Sequence, residues 1–142
     1  MLKKFRLKNY KNFKDEITID FKDIAGYQFN TDCLSDGIIS KMLIYGRNAT
    51  GKTNLGRALL DIGYTISSSI RYQRNGIMLN ADSNEKVAVF DYEFQFGSTE
   101  VCYRYSKNSN QELSCEKLVI NDHCIFECDF DKNGFDELCL KE

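Results

Sequence analysis

Gly46-Arg47-Asn48-Ala49-Thr50-Gly51-Lys52-Thr53 matches G-x-x-x-x-G-K-[ST] without a gap, and its flanks decide which fold can carry it. Before it, Met42-Leu43-Ile44-Tyr45 is a continuous apolar run with no alternation, the pattern of a strand covered on both faces. After it, Leu55, Ala58, Leu59, Ile62 and Ile66 recur at spacings of three and four. That spacing predicts an amphipathic helix starting near Lys52, weakened at Gly63 and ended by Ser67-Ser68-Ser69. Strand, glycine turn and helix is the arrangement a phosphate cradle needs. The glycines let the backbone curl so that successive N–H groups face one concavity, and the helix adds its positive end. Lys52 is the mobile cation for phosphate oxygens, and the Thr53 hydroxyl is a ligand for Mg²⁺. Four fixed positions recur by chance in roughly 0.5% of chains of this length, and the flanking elements sharpen the match further.

Outward from that loop, the period of the apolar residues changes. Phe5 and Leu7 alternate with Lys4, Arg6 and Lys8, and Ile17, Ile19 and Phe21 alternate with polar neighbours. Both stretches predict half-buried strands, joined as a hairpin by the short polar link at residues 9–16. Residues 23–40 show no sustained period and read as a long loop. Residues 70–85 read as a connector. From Lys86 onward the period is two again. Ala88, Phe90, Tyr92, Phe94 and Phe96 share one face, Val101, Tyr103 and Tyr105 form the next stripe, and Cys124, Phe126, Cys128 and Phe130 form the last. Between them Leu113–Ile120 changes phase, which predicts a bulge near Glu116-Lys117. Short links at residues 97–99, 107–111 and 121–122 predict an antiparallel meander.

The composition excludes several classes. The chain has 142 residues, enough for one ordinary domain. It is 42% hydrophobic and 13% aromatic, enough for a packed core and too much for a disordered chain. The formal net charge of -2 argues against a globally basic nucleic-acid binder. The absence of an apolar run near 20 residues, and of an apolar stretch behind the basic N-terminus, points to a cytoplasmic protein without a membrane partner. Six cysteines in that compartment read as reduced thiols.

The loop, continued as Asn54-Leu55, resembles that of the ABC-type and AAA-family ATPases of the RecF, SMC and OLD (overcoming lysogenisation defect) group, with its Asn at the third loop position. The opening, Phe5-Arg6-Leu7-Lys8-Asn9-Tyr10-Lys11-Asn12-Phe13, is similar to the group's N-terminal strand and turn, ϕ-x-N-[FY]-[KR]-x-F. The later strands at Tyr92-Glu93-Phe94, Tyr103-Arg104-Tyr105 and Glu116-Lys117-Leu118 resemble its antiparallel lobe. The resemblance implies ATP with Mg²⁺ as ligand, bound by Gly46, Arg47, Asn48, Ala49, Thr50, Gly51, Lys52, Thr53 and Asn54, with Thr53 on the metal. It also implies a nucleotide sandwiched between two heads, in a homodimer or with a partner chain, in DNA maintenance or phage defence. The turn around Lys8 to Lys14 would then lie near the nucleotide, and Lys11 is carried over as a phosphate neighbour, against the blander reading of a solvated turn lysine.

The sequence departs from that group after the loop. Such ATPases need an apolar strand ending in Asp-Glu, and Val87-Ala88-Val89-Phe90-Asp91 fails because alternation continues past it and leaves Asp91 on a polar face mid-strand. Leu34-Ser35-Asp36-Gly37 has the letters of the signature segment but precedes the loop, and reads as a turn. His123, the only histidine, stands at a turn. Cys124 and Cys128 in one extended strand lie roughly 13 Å apart along it, too far for one zinc ion. Asp129-Phe130-Asp131-Lys132-Asn133-Gly134 resembles the start of a calcium loop, but Leu140 stands where the bidentate Glu belongs, so Asn133-Gly134 reads as a hairpin turn.

The expectation is an α/β P-loop NTPase lobe over residues 1–142: a mixed sheet with one main helix (residues 1–66) and an antiparallel β meander (residues 86–130). The catalytic C-terminal half is expected to be absent, through truncation or division between two chains, so hydrolysis by this chain alone is not expected. The sequence has no Asn-Lys-x-Asp tetrad, which a resemblance to GTPases would need, so GTP is disfavoured, and a small kinase fold would not place 40 residues before its loop strand. The alternative is a β-rich interaction or DNA-binding module with a degenerate nucleotide site, using Lys3, Lys4, Arg6, Lys8, Lys11 and Lys14 as a basic surface.

Overall fold

Alternating apolar residues build the centre of the molecule. The computed structural model describes residues 1–26, 31–67 and 78–133. Its strands are β1 (Leu2–Lys8), β2 (Ile17–Asp20), β3 (Leu34–Ser35), β4 (Ile38–Ile39), β5 (Ala88–Phe96), β6 (Thr99–Lys107), β7 (Leu113–Ile120) and β8 (His123–Asp129). Helix α1 spans Lys52–Ile66 and the single-turn α2 spans Phe130–Asn133. Six strands form one sheet in the order β2-β1-β5-β6-β7-β8, with every pairing antiparallel, and β3 and β4 form a separate hairpin.

Register explains the two faces. Phe5, Leu7, Phe90, Tyr92, Tyr103 and Tyr105 project to one side and are buried. Their rings stack or tilt at centroid distances of 4.9 Å (Phe5–Tyr92), 5.1 Å (Phe90–Tyr105) and 5.4 Å (Tyr103–Tyr105). Helix α1 lies on this face, with Ala58 fully buried and Leu55, Leu59 and Ile62 packed against the aromatic core. The opposite face is a ladder of ion pairs: Lys4–Asp20 at 2.9 Å, Arg6–Glu93 at 2.6 Å, Arg6–Asp91 at 3.2 Å and Lys117–Glu127 at 3.1 Å. A helix layer thus covers one side of a twisted antiparallel sheet, while charged pairs keep the other side wet.

The expected hairpin β1–β2 and the meander β5–β8 form as read. The β7–β8 turn is Asn121-Asp122, both at positive φ, as a two-residue type I′ turn requires. The sheet is antiparallel throughout the described residues, where a mixed sheet is expected from the sequence. Residues 42–45 join no strand among the described residues. Leu43 is 85% and Tyr45 89% exposed, with Met42 at 45% and Ile44 at 40%. An apolar run becomes a buried strand only where neighbouring strands take its backbone groups, and no described strand is placed beside this one. Part of the expected long loop at residues 23–40 is the β3–β4 hairpin. Asp36-Gly37 there is a turn with both residues at positive φ, so the signature-like letters are indeed a turn.

The bulge falls elsewhere than expected. Ser106 pairs with Cys115 and Lys107 with Leu113, so Ser114 is the extra residue. A second shift makes Ile125 the extra residue of β8, because Leu118 pairs with Phe126 and Val119 with Cys124. The expected last stripe is therefore broken: register puts Cys124 on the face opposite Phe126 and Cys128. Phe130 and Asn133 lie in α2 rather than in a strand and a hairpin turn. Residues 68–77, Gly134, Cys139 and Leu140 lie outside the described residues, as do the readings placed on them. Among the described residues no helix is long and apolar enough to cross a membrane.

Candidate functional site

Helix α1 begins where Gly51 turns the chain. Gly51 has φ 96° and ψ 5°, a left-handed conformation, and no side chain caps the helix N-terminus. The first-turn N–H groups of residues 52–54 are thereby left for a ligand, and the helix dipole favours a negative one. Ala49 also has positive φ, at 65°, so the loop curls twice before the helix starts. The Thr50 hydroxyl donates to the Arg47 carbonyl at 2.9 Å and closes the tip. Lys52 folds back across the loop, its ammonium donating to the carbonyls of Gly46 at 2.8 Å and Arg47 at 2.5 Å. These contacts are exposed, so an incoming anion can compete for the same ammonium.

Of the residues singled out in the sequence, Asn48, Ala49, Gly51, Lys52, Thr53 and Asn54 line one open cleft of about 270 Å³. Gly46, Arg47 and Thr50 are not in its lining and shape the loop through their carbonyls and hydroxyl. Thr53 is exposed, while Lys52 and Asn54 are half-buried.

One wall of the cleft comes from the turn that the resemblance puts near the nucleotide, through a residue that sequence reasoning did not single out. Asn12, at the tip of the β1–β2 connection, lines it, and its Oδ1 accepts from Asn54 Nδ2 at 2.8 Å. A Cβ on Gly51 would run into the Asn12 amide, so glycine is needed there for space as well as for φ. The connection is itself pinned. Buried Asn9, at φ 53°, donates from Nδ2 to the carbonyls of Glu85 (2.9 Å) and Val87 (2.8 Å) and accepts from the Asn80 N–H (3.3 Å). Lys11 N–H donates to Met78 O at 2.8 Å, and Asn80 Nδ2 to Lys11 O at 2.5 Å. Asn12 was visible only as a variable letter of the opening motif. Lys11 stands beside it, its ammonium 5.8 Å from the centre of the Tyr10 ring, and it does not line the cleft.

The remaining acid and metal candidates lie apart from the cleft. Asp91 sits mid-β5 opposite Arg6 and Arg104, with burial raising its carboxyl above its ordinary value against the pull of both cations. His123 is exposed at the start of β8, its Nδ1 2.7 Å from the Asn121 carbonyl oxygen. Cys128 is buried, whereas Cys124 Sγ turns to the Phe126 carbonyl at 3.6 Å. Among the described residues no group of three or more His, Cys, Asp or Glu side chains is placed to hold a metal ion.

The sequence profile of the family described as "AAA domain, putative AbiEii toxin, Type IV TA system" matches residues 41–138. The match begins just before the glycine loop and runs through α1 and the whole β5–β8 meander. No curated protein matches the chain.

Proposed function

The chain belongs to the AAA domain family, and from that premise we infer that it binds ATP with Mg²⁺ through the loop at residues 46–53. The observation that carries this reading is the uncapped N-terminus of α1 behind two left-handed residues, with Lys52 poised over the loop. The residues fit the ligand. The free N–H groups of the first helical turn suit phosphate oxygens, and Lys52 supplies the neutralising cation. The exposed Thr53 hydroxyl would offer Mg²⁺ one oxygen, the remaining positions falling to phosphate and water, as this ion prefers.

Within the family, the Asn48 and Asn54-Leu55 letters and the Asn9-Tyr10-Lys11 turn support a place near the RecF, SMC and OLD group, and with it a setting in DNA maintenance or phage defence. No acidic side chain lines the cleft among the described residues, so these residues bind and orient the triphosphate without a group to position an attacking water. The exposed run at residues 42–45 supports a partner surface at the loop, on a second copy or another chain. A nucleic-acid surface at the basic N-terminus is the weaker reading. Lys3 pairs with Glu100 at 2.8 Å, Lys4 with Asp20, Arg6 with Asp91 and Glu93, and Lys8 with Glu85 at 2.6 Å.

Calorimetric titration with Mg-ATP tests the proposal. Lys52→Ala should weaken binding at least about tenfold, the loss of one charge-assisted phosphate contact. Equal affinity in both proteins, or none in either, contradicts it.

A further inference from the structure

Nine residues along α1 from Lys52, about 13 Å up its axis, the helix carries a second polar group that the phosphate site does not use. Asp61 is only 7% exposed, and it faces the aromatic core. Its Oδ2 accepts from Lys107 Nζ at 2.6 Å, from the Tyr105 hydroxyl at 2.9 Å and from the Thr65 hydroxyl at 3.2 Å. Lys107, at the end of β6, is equally buried, its ammonium 5.3 Å from the Tyr105 ring centre and 5.9 Å from that of Phe90. One turn back, the Tyr92 hydroxyl donates to the Ala58 carbonyl at 2.7 Å, on the same line of the helix. Burial raises the pKa of both phenols, so each keeps its proton and acts as a donor.

Beside these polar contacts, Leu55, Ala58, Leu59 and Ile62 pack apolar surface on the core. Apolar contact is non-directional and lets a helix roll or slide with little change in buried area. Hydrogen bonds and a buried ion pair are directional, and a missed one leaves a charge uncompensated. Asp61 and Ala58 are therefore the directional points of this contact. The roll of α1 matters at the other end of the helix, where Asn54 must meet Asn12 and Gly51 must pass flush against it for the cleft to exist.

We propose that Asp61 and Lys107, braced by Tyr105, are positioning residues for the phosphate cradle: they fix the rotation of α1 against the β lobe, so that the loop and the Asn12 turn close on one nucleotide site. This rests on the nucleotide reading of the loop. The work is done at a distance, through the helix, and none of the three residues touches the ligand.

The test compares the wild-type chain with Tyr105→Phe, Asp61→Asn and Lys52→Ala, at a temperature where circular dichroism shows each folded. Two quantities are read: Mg-ATP affinity by calorimetry, and the side-chain amide resonances of Asn12 and Asn54 in ligand-free ¹H–¹⁵N spectra. Tyr105→Phe should weaken Mg-ATP about fivefold and Asp61→Asn about tenfold, with both amide resonances displaced in each variant before any nucleotide is added. A role in stability alone would lower the melting temperature and leave the affinity and spectra of the folded protein unchanged, and that result overturns the proposal. If Asp61→Asn does not fold, Tyr105→Phe, which removes one hydroxyl from a ring that keeps its packing, carries the comparison. If the wild type and Lys52→Ala bind Mg-ATP equally or not at all, the nucleotide reading fails. The ligand-free amide resonances then still decide whether the network positions the loop.

Discussion

Single side chains hold the loop's neighbourhood together, and Asn9 is the clearest case. It is buried, in a left-handed conformation, and its amide satisfies two carbonyls of the segment leading into β5. Asparagine tolerates that conformation, and its side chain supplies donors where the β1 ladder stops. Asn9→Ala leaves the Glu85 and Val87 carbonyls short of a partner and should cost about 2 kcal/mol in urea denaturation. It should also loosen Asn12 at the cleft, lowering Mg-ATP affinity in the folded fraction. At this scale the sequence was informative about chemistry and silent about partners. The glycines, Lys52 and Thr53 announced themselves by spacing, because the backbone curl demands those residue types. Asn12 and Asp61 did not, since each acts through a contact 42 or 46 positions away in the chain, with Asn54 and with Lys107.

Among the elements, half-buried ion pairs tie β2 and the start of β6 to β1, and these places should respond to acid first. The Lys4 ammonium holds the Asp20 carboxyl below its ordinary value of 3.8, and Lys3 holds Glu100 below 4.5. A carboxyl depressed in the fold lends stability that is fully present above its unfolded value and is lost as pH falls through the folded one. Asp91 in β5 has the opposite sign. Its raised carboxyl takes up a proton more readily in the fold than out of it, so charging it costs stability as pH rises above 3.8. Amide exchange, corrected for intrinsic rates, should therefore accelerate in β2 and at the start of β6 below about pH 4, while β5 around Asp91 stays protected. Uniform loosening of all six strands would contradict this assignment of the shifts.

The same scale shows why some elements were legible and others were not. Strands β1, β5 and β6 and helix α1 are where periodicity placed them, because each has one face on the aromatic core and burial enforces the pattern. The run at residues 42–45 carries an equally strong apolar signal and is not a strand among the described residues. Burial of a strand on both faces depends on neighbours, and its own letters cannot supply them. Ser114 and Ile125 are a subtler failure. A bulge is a property of two paired strands, so the phase of β7 alone located it two residues away from its position against β6.

At the scale of the molecule, an antiparallel sheet with a dry aromatic face and a charged outer face supports α1, and that helix presents the glycine loop at its N-terminus. The membership of the AAA domain family and the curl of the loop make nucleotide binding the central claim. It is tested most directly by adding Mg-ATP to ¹⁵N-labelled protein and following the assigned backbone amides. The account predicts saturable shifts concentrated at residues 48–54 and at Asn12, absent in Lys52→Ala. Shifts centred on the ion-pair face of β1 and β5, or none at millimolar Mg-ATP, would contradict it.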